Sequence, residues 1–171
     1  MKWMLGALCL LSIGSGSAWA QDCASLTELG TQLSGALAEA ELEQAQAVAL
    51  KAKAAVLCQQ KPLNGAQAAE IFRMIGASAF FNQDLAGATE AFSWASTIAP
   101  SGSISADYGA KVAELYEKTR EQVAAEGSVT LSLAGDGEAW VNGQALRVGE
   151  DLALPVGRHL LQTREGGLAM K

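Results

Sequence analysis

Residues 69–100 constrain this chain more than any other stretch, because their small and aromatic side chains recur at intervals suited to a pair of packed helices. Phe72, Ile75 and Ala79 keep the apolar spacing of a helix, and Ile71, Met74 and Phe80 widen the same face. Gly76 and Ala88 lie twelve residues apart, Phe92 follows four later, Ala95 three after that, and Pro100 another five on. Small residues at 76 and 88 let two antiparallel helices approach closely. Phe92 is expected to fill the gap between successive hairpins, and Pro100 ends the unit because it cannot continue a helix.

This order of residues resembles the tetratricopeptide repeat (TPR), matched at Phe72, Ile75, Gly76, Ala88, Phe92, Ala95 and Pro100. The eleventh repeat position, usually aromatic, is Ala79, with Phe80 and Phe81 beside it. The resemblance implies a scaffold for protein contacts and no catalytic motif. A worn copy precedes it. Glu41-Leu42-Glu43-Gln44-Ala45 falls on Asp84-Leu85-Ala86-Gly87-Ala88 at an offset of 43, and Ala52 falls on Ala95. The Gly, Phe and Pro positions of this copy hold Leu33, Ala49 and Leu57.

The worn copy is itself a predicted hairpin. Leu26, Leu29, Leu33, Ala36 and Leu37 line one amphipathic helix; Ala45, Val48, Ala49, Ala52, Val56 and Leu57 line a second. With a turn near Ala40-Glu41, Cys23 and Cys58 stand almost equally far from it, so antiparallel packing brings them level and predicts a disulfide. Closing a loop of that length stabilises by about 3–4 kcal/mol in the chain-entropy account. Lys61-Pro62-Leu63-Asn64-Gly65 then breaks the helix.

A disulfide needs an oxidising compartment, and the start of the chain points to one. Lys2 precedes an apolar run, Trp3 to Ile13, which leads through Gly14 to Ser17 into Ala18-Trp19-Ala20. Small residues at the first and third places of that triplet suit signal peptidase, so residues 1–20 read as an export signal and the mature chain starts at Gln21. The apolar run is too short to span a bilayer. Neither Leu8-Cys9 nor Gln21-Asp22-Cys23 forms a lipidation box. The expected location is the periplasm or the cell surface.

After Pro100, Ser105 or Asp107 can cap a helix running to about Ala125, with Val112, Leu115, Tyr116, Thr119 and Val123 as its apolar stripe. This terminal helix is expected to cover the preceding hairpin, with Trp94 wedged against it and Tyr108 and Tyr116 as packing residues.

From Ser128 the period changes. Val129, Leu131 and Leu133 alternate with polar or small residues as in a half-buried strand. Gly135-Asp136-Gly137 is expected to turn the chain and Ala139 to Val141 to return it. Asn142-Gly143 is a hairpin turn signal because both residues tolerate positive φ. Leu152 to Leu154 and His159 to Thr163 give two more strands about Pro155-Val156-Gly157. Residues 129–167 resemble the PEGA domain, a small β-module of bacterial envelope and surface proteins. The match lies at Gly137-Glu138-Ala139, Val141-Asn142-Gly143 and Pro155-Val156-Gly157-Arg158-His159. No proline precedes Gly137, no Gly-x-x-Pro lies between Gly143 and Leu152, and the usual aromatic after Gly166 is Gly167. Leu168-Ala169-Met170-Lys171 offers little for a closing strand. The module lacks an edge, or the chain is a fragment, or a neighbour donates the strand. The resemblance implies an interaction module.

Side chains for chemistry are scarce. His159 is the single histidine among 171 residues, and no Ser, Cys or Asp constellation accompanies it, so it is expected to satisfy a turn or pack an edge. Glu39, Glu41 and Glu43 read as solvated charge at a helix turn. Gly135-Asp136-Gly137 is too short for a phosphate loop. Trp140, beside a Gly-rich turn, is either core or a platform for a sugar ring. A net charge of −6 disfavours nucleic acid and anionic membranes.

The expected molecule is therefore α+β: a signal peptide (1–20), antiparallel TPR-like hairpins (21–126) and a small antiparallel, sandwich-like PEGA-like module (127–171). Its expected role is a non-enzymatic envelope adaptor for a protein or peptide, without cofactor, metal or transmembrane segment in the mature chain. A homo-oligomer is left open. The alternative is a cell-wall glycan-binding protein using the β-module through Trp140.

Overall fold

The computed structural model describes residues 23–59, 61–133 and 138–163, together with the backbone of 168–170. The export signal and the Gly135-Asp136-Gly137 turn lie outside the described residues.

Among the described residues five α-helices precede six short strands: α1 Leu26–Ala38, α2 Leu42–Cys58, α3 Gly65–Phe81, α4 Leu85–Ile98, α5 Ala110–Ala125, β1 Ser128–Ser132, β2 Ala139–Val141, β3 Gln144–Leu146, β4 Asp151–Pro155, β5 Leu160–Thr163 and β6 Leu168–Met170. The fold is α+β. Three helices start at side-chain caps: Ser25 accepts from the Glu28 N–H, Asn64 from Gln67 and Asp84 from Gly87.

The hairpins α1–α2 and α3–α4 turn in the same way, 43 residues apart. In each turn one residue takes a positive φ, 57° at Ala40 and 63° at Gln83. Around Ala40 the Glu41 N–H donates to the Ala36 carbonyl and the Ala40 N–H to Leu37; around Gln83, Asp84 donates to Ala79 and Gln83 to Phe80. Both are Schellman closures, which satisfy the last carbonyls of the first helix. Neither uses the glycine that this position favours. An Ala40→Gly variant should therefore gain about 0.5–1 kcal/mol, relief of left-handed strain outweighing the added freedom of the unfolded chain, and show it as a raised denaturation midpoint.

All five apolar residues expected on α1 are buried, as are Ala45, Val48, Ala49, Ala52 and Val56 of α2. Helix α3 is buried nearly all round because it lies between neighbours: Ile71, Phe72 and Met74 are enclosed, while Ile75, Ala79 and Phe80 are half-buried and pack against the core. Gly76 is required by close approach, since a methyl group there would land on the Phe92 ring. Phe92 thus fills space within its own hairpin, and its outer edge meets Tyr116 of α5 at 5.4 Å in a T-shaped contact.

Helix α5 begins later than its sequence suggests. Ser105 caps a 3₁₀ turn, Ala106–Tyr108, and Gly109 at φ 84° separates that turn from α5. The expected stripe is buried at Val112, Tyr116, Thr119 and Val123, and Leu115 packs against it half-buried. Tyr116 donates to the Gly102 carbonyl, tying α5 to the loop after α4. Trp94, expected against α5, has its ring contact elsewhere. It stacks on Phe72 at 5.2 Å, and Phe92 is the α4 aromatic that meets Tyr116 of α5.

Two antiparallel sheets follow, β1–β4 and β3–β2–β5–β6. Strand β1 pairs with β4, Val129 opposite Leu154, and not with β2 as the expected return strand. Its alternation is correspondingly weak. Val129 is 50% exposed, whereas Leu131 and Leu133 are half-buried, because the two-stranded ribbon covers the second sheet with only part of one face. The segment after Gly167, unpromising as sequence, forms β6 against β5 with Leu160 opposite Met170. The four-stranded sheet has two covered faces. One packs Val141, Leu146 and Leu161 against the ribbon residues Leu131, Leu152 and Leu154. The other puts Leu160, without exposed surface, into the core of the helices.

Candidate functional site

The helix-facing side of the sheet is where the polar side chains gather. Residues opposite one another in an antiparallel pair share a face, so Trp140, Ala145 and Gln162 line up on one side. Gln162 is 5% exposed and spends its whole amide on the loop between the two helical hairpins. Its Oε1 accepts from the Leu63 N–H at 2.8 Å, and its Nε2 donates to the carbonyls of Lys61 at 2.6 Å and Gln59 at 3.2 Å.

Asn142, at φ 53°, makes the hairpin turn and joins the sheet to α4 as well. Its Nδ2 donates to the Thr97 carbonyl at 3.2 Å and to His159 Nδ1 at 2.9 Å, while its Oδ1 accepts from the Leu160 N–H at 3.0 Å. The amide orientation is set by the Leu160 donor, so His159 accepts at Nδ1 and donates from Nε2 to the Pro155 carbonyl at 2.8 Å. Both ring nitrogens are therefore occupied. Thr97 Oγ1 donates to the Arg158 carbonyl at 2.7 Å. Gly143, at φ 81°, is needed twice over, since a side chain there would meet the Leu63 carbonyl and the Gly65 nitrogen.

Charge completes the junction at its rim. Arg158 Nη1 donates to Glu90 Oε1 at 2.7 Å, Lys53 Nζ reaches the same oxygen at 3.4 Å, and the Arg158 guanidinium lies 5.9 Å from the centre of the Trp94 ring. Burial acts to raise the Glu90 carboxyl, but Lys53 and Arg158 outweigh it and hold the group below its ordinary value. A depressed carboxyl stabilises above its unfolded-state pKa and loses that contribution as pH falls through its folded one. Wild type should thus exceed Glu90→Gln in thermal midpoint at neutral pH, by a small margin because the side chain is 44% exposed, and the margin should close on acidification.

Recesses also open among the helices. Between α1, α3 and the 3₁₀ turn runs a groove of about 600 Å³, bordered by Thr27, Gly30, Thr31, Ser34 and Gly35 on one side and Gln67, Glu70, Met74 and Tyr108 on the other. Short side chains on α1 leave it unfilled. The second recess, of about 200 Å³, lies among α2, α3 and α4.

No family model, curated protein or solved structure matches the chain. What this molecule can do is read from its own surfaces.

The predicted side chains fall as follows. Cys23 and Cys58 are joined at bonding distance, their Cα atoms 5.7 Å apart. Phe72, Gly76, Ala88, Phe92 and Ala95 are buried in the helical core, Ile75 is half-buried, and Pro100 is exposed just beyond the end of α4. Trp140 is half-buried in a shallow recess of about 290 Å³ with Glu138 and Arg147. Sequence reasoning missed Gln162, Thr97, Arg158 and Glu90. Gln162 left a signal, an amide at the inward position of a strand whose other inward residue is Leu160. No helix among the described residues is long and apolar enough to cross a membrane.

Proposed function

We propose that the mature protein is a non-enzymatic adaptor of the bacterial cell envelope, a TPR-like hairpin array carrying a PEGA-like module, which works by holding a protein or peptide partner. The observation that carries this reading is the groove between α1 and α3. It is lined by small and hydroxyl-bearing residues that no part of the described chain fills, and it uses residues of α3 other than those lining the recess of α2 and α4. The equivalent turns at Ala40 and Gln83 support the repeat, and the Cys23–Cys58 pair suits an exported chain.

Photo-crosslinking in intact cells tests this. A crosslinker placed at Thr31 or Ser34 should recover one or two discrete proteins, and the same group on exposed Glu126 should not. Recovery of none from the groove positions would sink the reading.

The competing reading, cell-wall glycan binding, draws on Trp140 with Glu138 and Arg147 beside it. Trp140→Ala separates the two: an adaptor keeps its cell-wall retention, within twofold, and a glycan binder loses it.

A further inference from the structure

We propose that the outer edge of β1 is a dimerisation edge, on which a second copy of this chain lays its own β1 antiparallel about Thr130, so that the two ribbons join in one four-stranded sheet. The contact is built from the β-module alone.

The direction of the backbone groups comes first. Among the described residues β1 has β4 as its sole strand partner, with Ser128 opposite Pro155 and Thr130 opposite Ala153. One step beyond, the Val156 N–H donates to the Gly127 carbonyl, which makes 127 and 156 a hydrogen-bonded pair in the same register. Such pairs alternate along an antiparallel ladder, so Val129 and Leu131 spend their backbone groups on β4 while Ser128, Thr130 and Ser132 turn theirs outward. Pro155, with no N–H to give, occupies one of the positions on β4 where none is needed. Ser128, Thr130 and Ser132 are all exposed, and the bridge that Leu133 makes to Val148 lies past the end of the strand.

The ribbon is guarded on one edge and bare on the other. On β4 the outward positions include Asp151 and Pro155, a charge and a residue without a donor, which protect a sheet edge against pairing. Strand β1 has neither. Ser128-Val129-Thr130-Leu131-Ser132 is uncharged, free of proline and paired with β4 without a bulge.

What covers this edge follows from its own pattern. A two-fold axis at Thr130 sets Thr130 against Thr130, Ser128 against Ser132 and Val129 against Leu131 of the second copy. Because 128, 130 and 132 all face outward, each pair among them exchanges both N–H···O bonds, and Thr–Thr is a favourable cross-strand neighbour. Val129 is 50% exposed, on the same side of the strand as Leu131, which packs toward the second sheet. The pairing brings the Leu131 side chain of the second copy beside it. Each chain carries a net charge of −6, and an uncharged strand is where two such chains can meet without setting like charges opposite one another. The strand supplies 5 residues a side against the ~20–30 of a standard interface, so the dimer is weak, with a dissociation constant on the order of 10–100 μM.

Sedimentation of the mature protein between about 5 and 500 μM tests this. Wild type is expected to pass from monomer to dimer, with the Ser128, Thr130 and Ser132 amides gaining exchange protection as it does, whereas Val129 and Leu131 are protected already in the dilute monomer. Thr130→Pro removes an outward N–H and no bond to β4, so it should abolish the dimer. Thr130→Lys and Thr130→Glu, which change only an exposed side chain, should each weaken it about fivefold by opposing like charges, with the thermal midpoint of the dilute protein held. Mixing the Lys and Glu variants one to one should restore the wild-type affinity, because residue 130 then meets its opposite charge. A wild type that stays monomeric at about 500 μM, Lys and Glu variants that dimerise as wild type does, or a mixture no tighter than either variant alone would each overturn the assignment. So would capture of a different protein's strand on β1 by a chain that does not self-associate.

Discussion

A Gln162→Leu variant loses about 3 kcal/mol of stability and detaches the middle of the β-module from the helices. The substitution keeps size and apolar contact but removes one acceptor and both amide donors at a site that is 5% exposed. It strands the Leu63 N–H, which has no room to find water, and loosens the carbonyls of Gln59 and Lys61. A buried donor left unpaired costs about 1–3 kcal/mol, and the two carbonyls add a smaller amount because the loop is partly open to solvent. Hydrogen exchange is the measurement that checks it. The Leu63 amide should lose protection by on the order of a hundredfold, while amides inside α1 and α2 change only as far as global stability does. If Leu63 exchanges alike in both proteins, the junction is held by Asn142 and Thr97 instead.

The second large effect is removal of the Cys23–Cys58 bridge. The bond ties Cys23, three positions ahead of the start of α1, to the last residue of α2 across a sequence separation of 35. Without it the unfolded chain regains the entropy of that loop, and a double Cys→Ser variant should be less stable by about 3–4 kcal/mol. The loss should appear first at the open end of the hairpin. Leu26, Leu29 and Val56 pack there, whereas the Ala40 turn at the far end closes on its own hydrogen bonds. Equilibrium urea denaturation of oxidised and variant protein gives the difference directly. An unchanged midpoint would mean that the unfolded chain is already restricted without the bond, and would overturn the entropic account. The α1–α3 groove borrows one wall from α1, so loss of the bridge should also weaken any partner captured there.

What could be read from the residues was local and periodic. The apolar faces of α1 and α2, the 43-residue offset, the Asn142-Gly143 turn and the level placement of Cys23 and Cys58 follow from helix spacing, turn chemistry and antiparallel geometry, which act within a few tens of residues. Gly76 and Phe92 were legible as a small residue and a filler, but which gap Phe92 fills was not, because that depends on where α5 comes to rest.

Tertiary structure alone decided the junction. Gln162 meets Leu63 across 99 positions, and Thr97 meets Arg158 across 61. No periodicity links such residues, and a single polar side chain has the same sequence signature whether it faces water or a buried carbonyl. The pairing of β1 with β4 was likewise undetermined, since short strands of similar pattern can pair in several orders, and the choice falls to whichever order lets Leu160 enter the helical core while Val141 and Leu154 close the far side. Trp94 took its place by the same rule. The sequence pointed to packing against the terminal helix; the stacking on Phe72 and the approach of Arg158 determined which way it faces, because burial is a property of a position and orientation is a property of its neighbours.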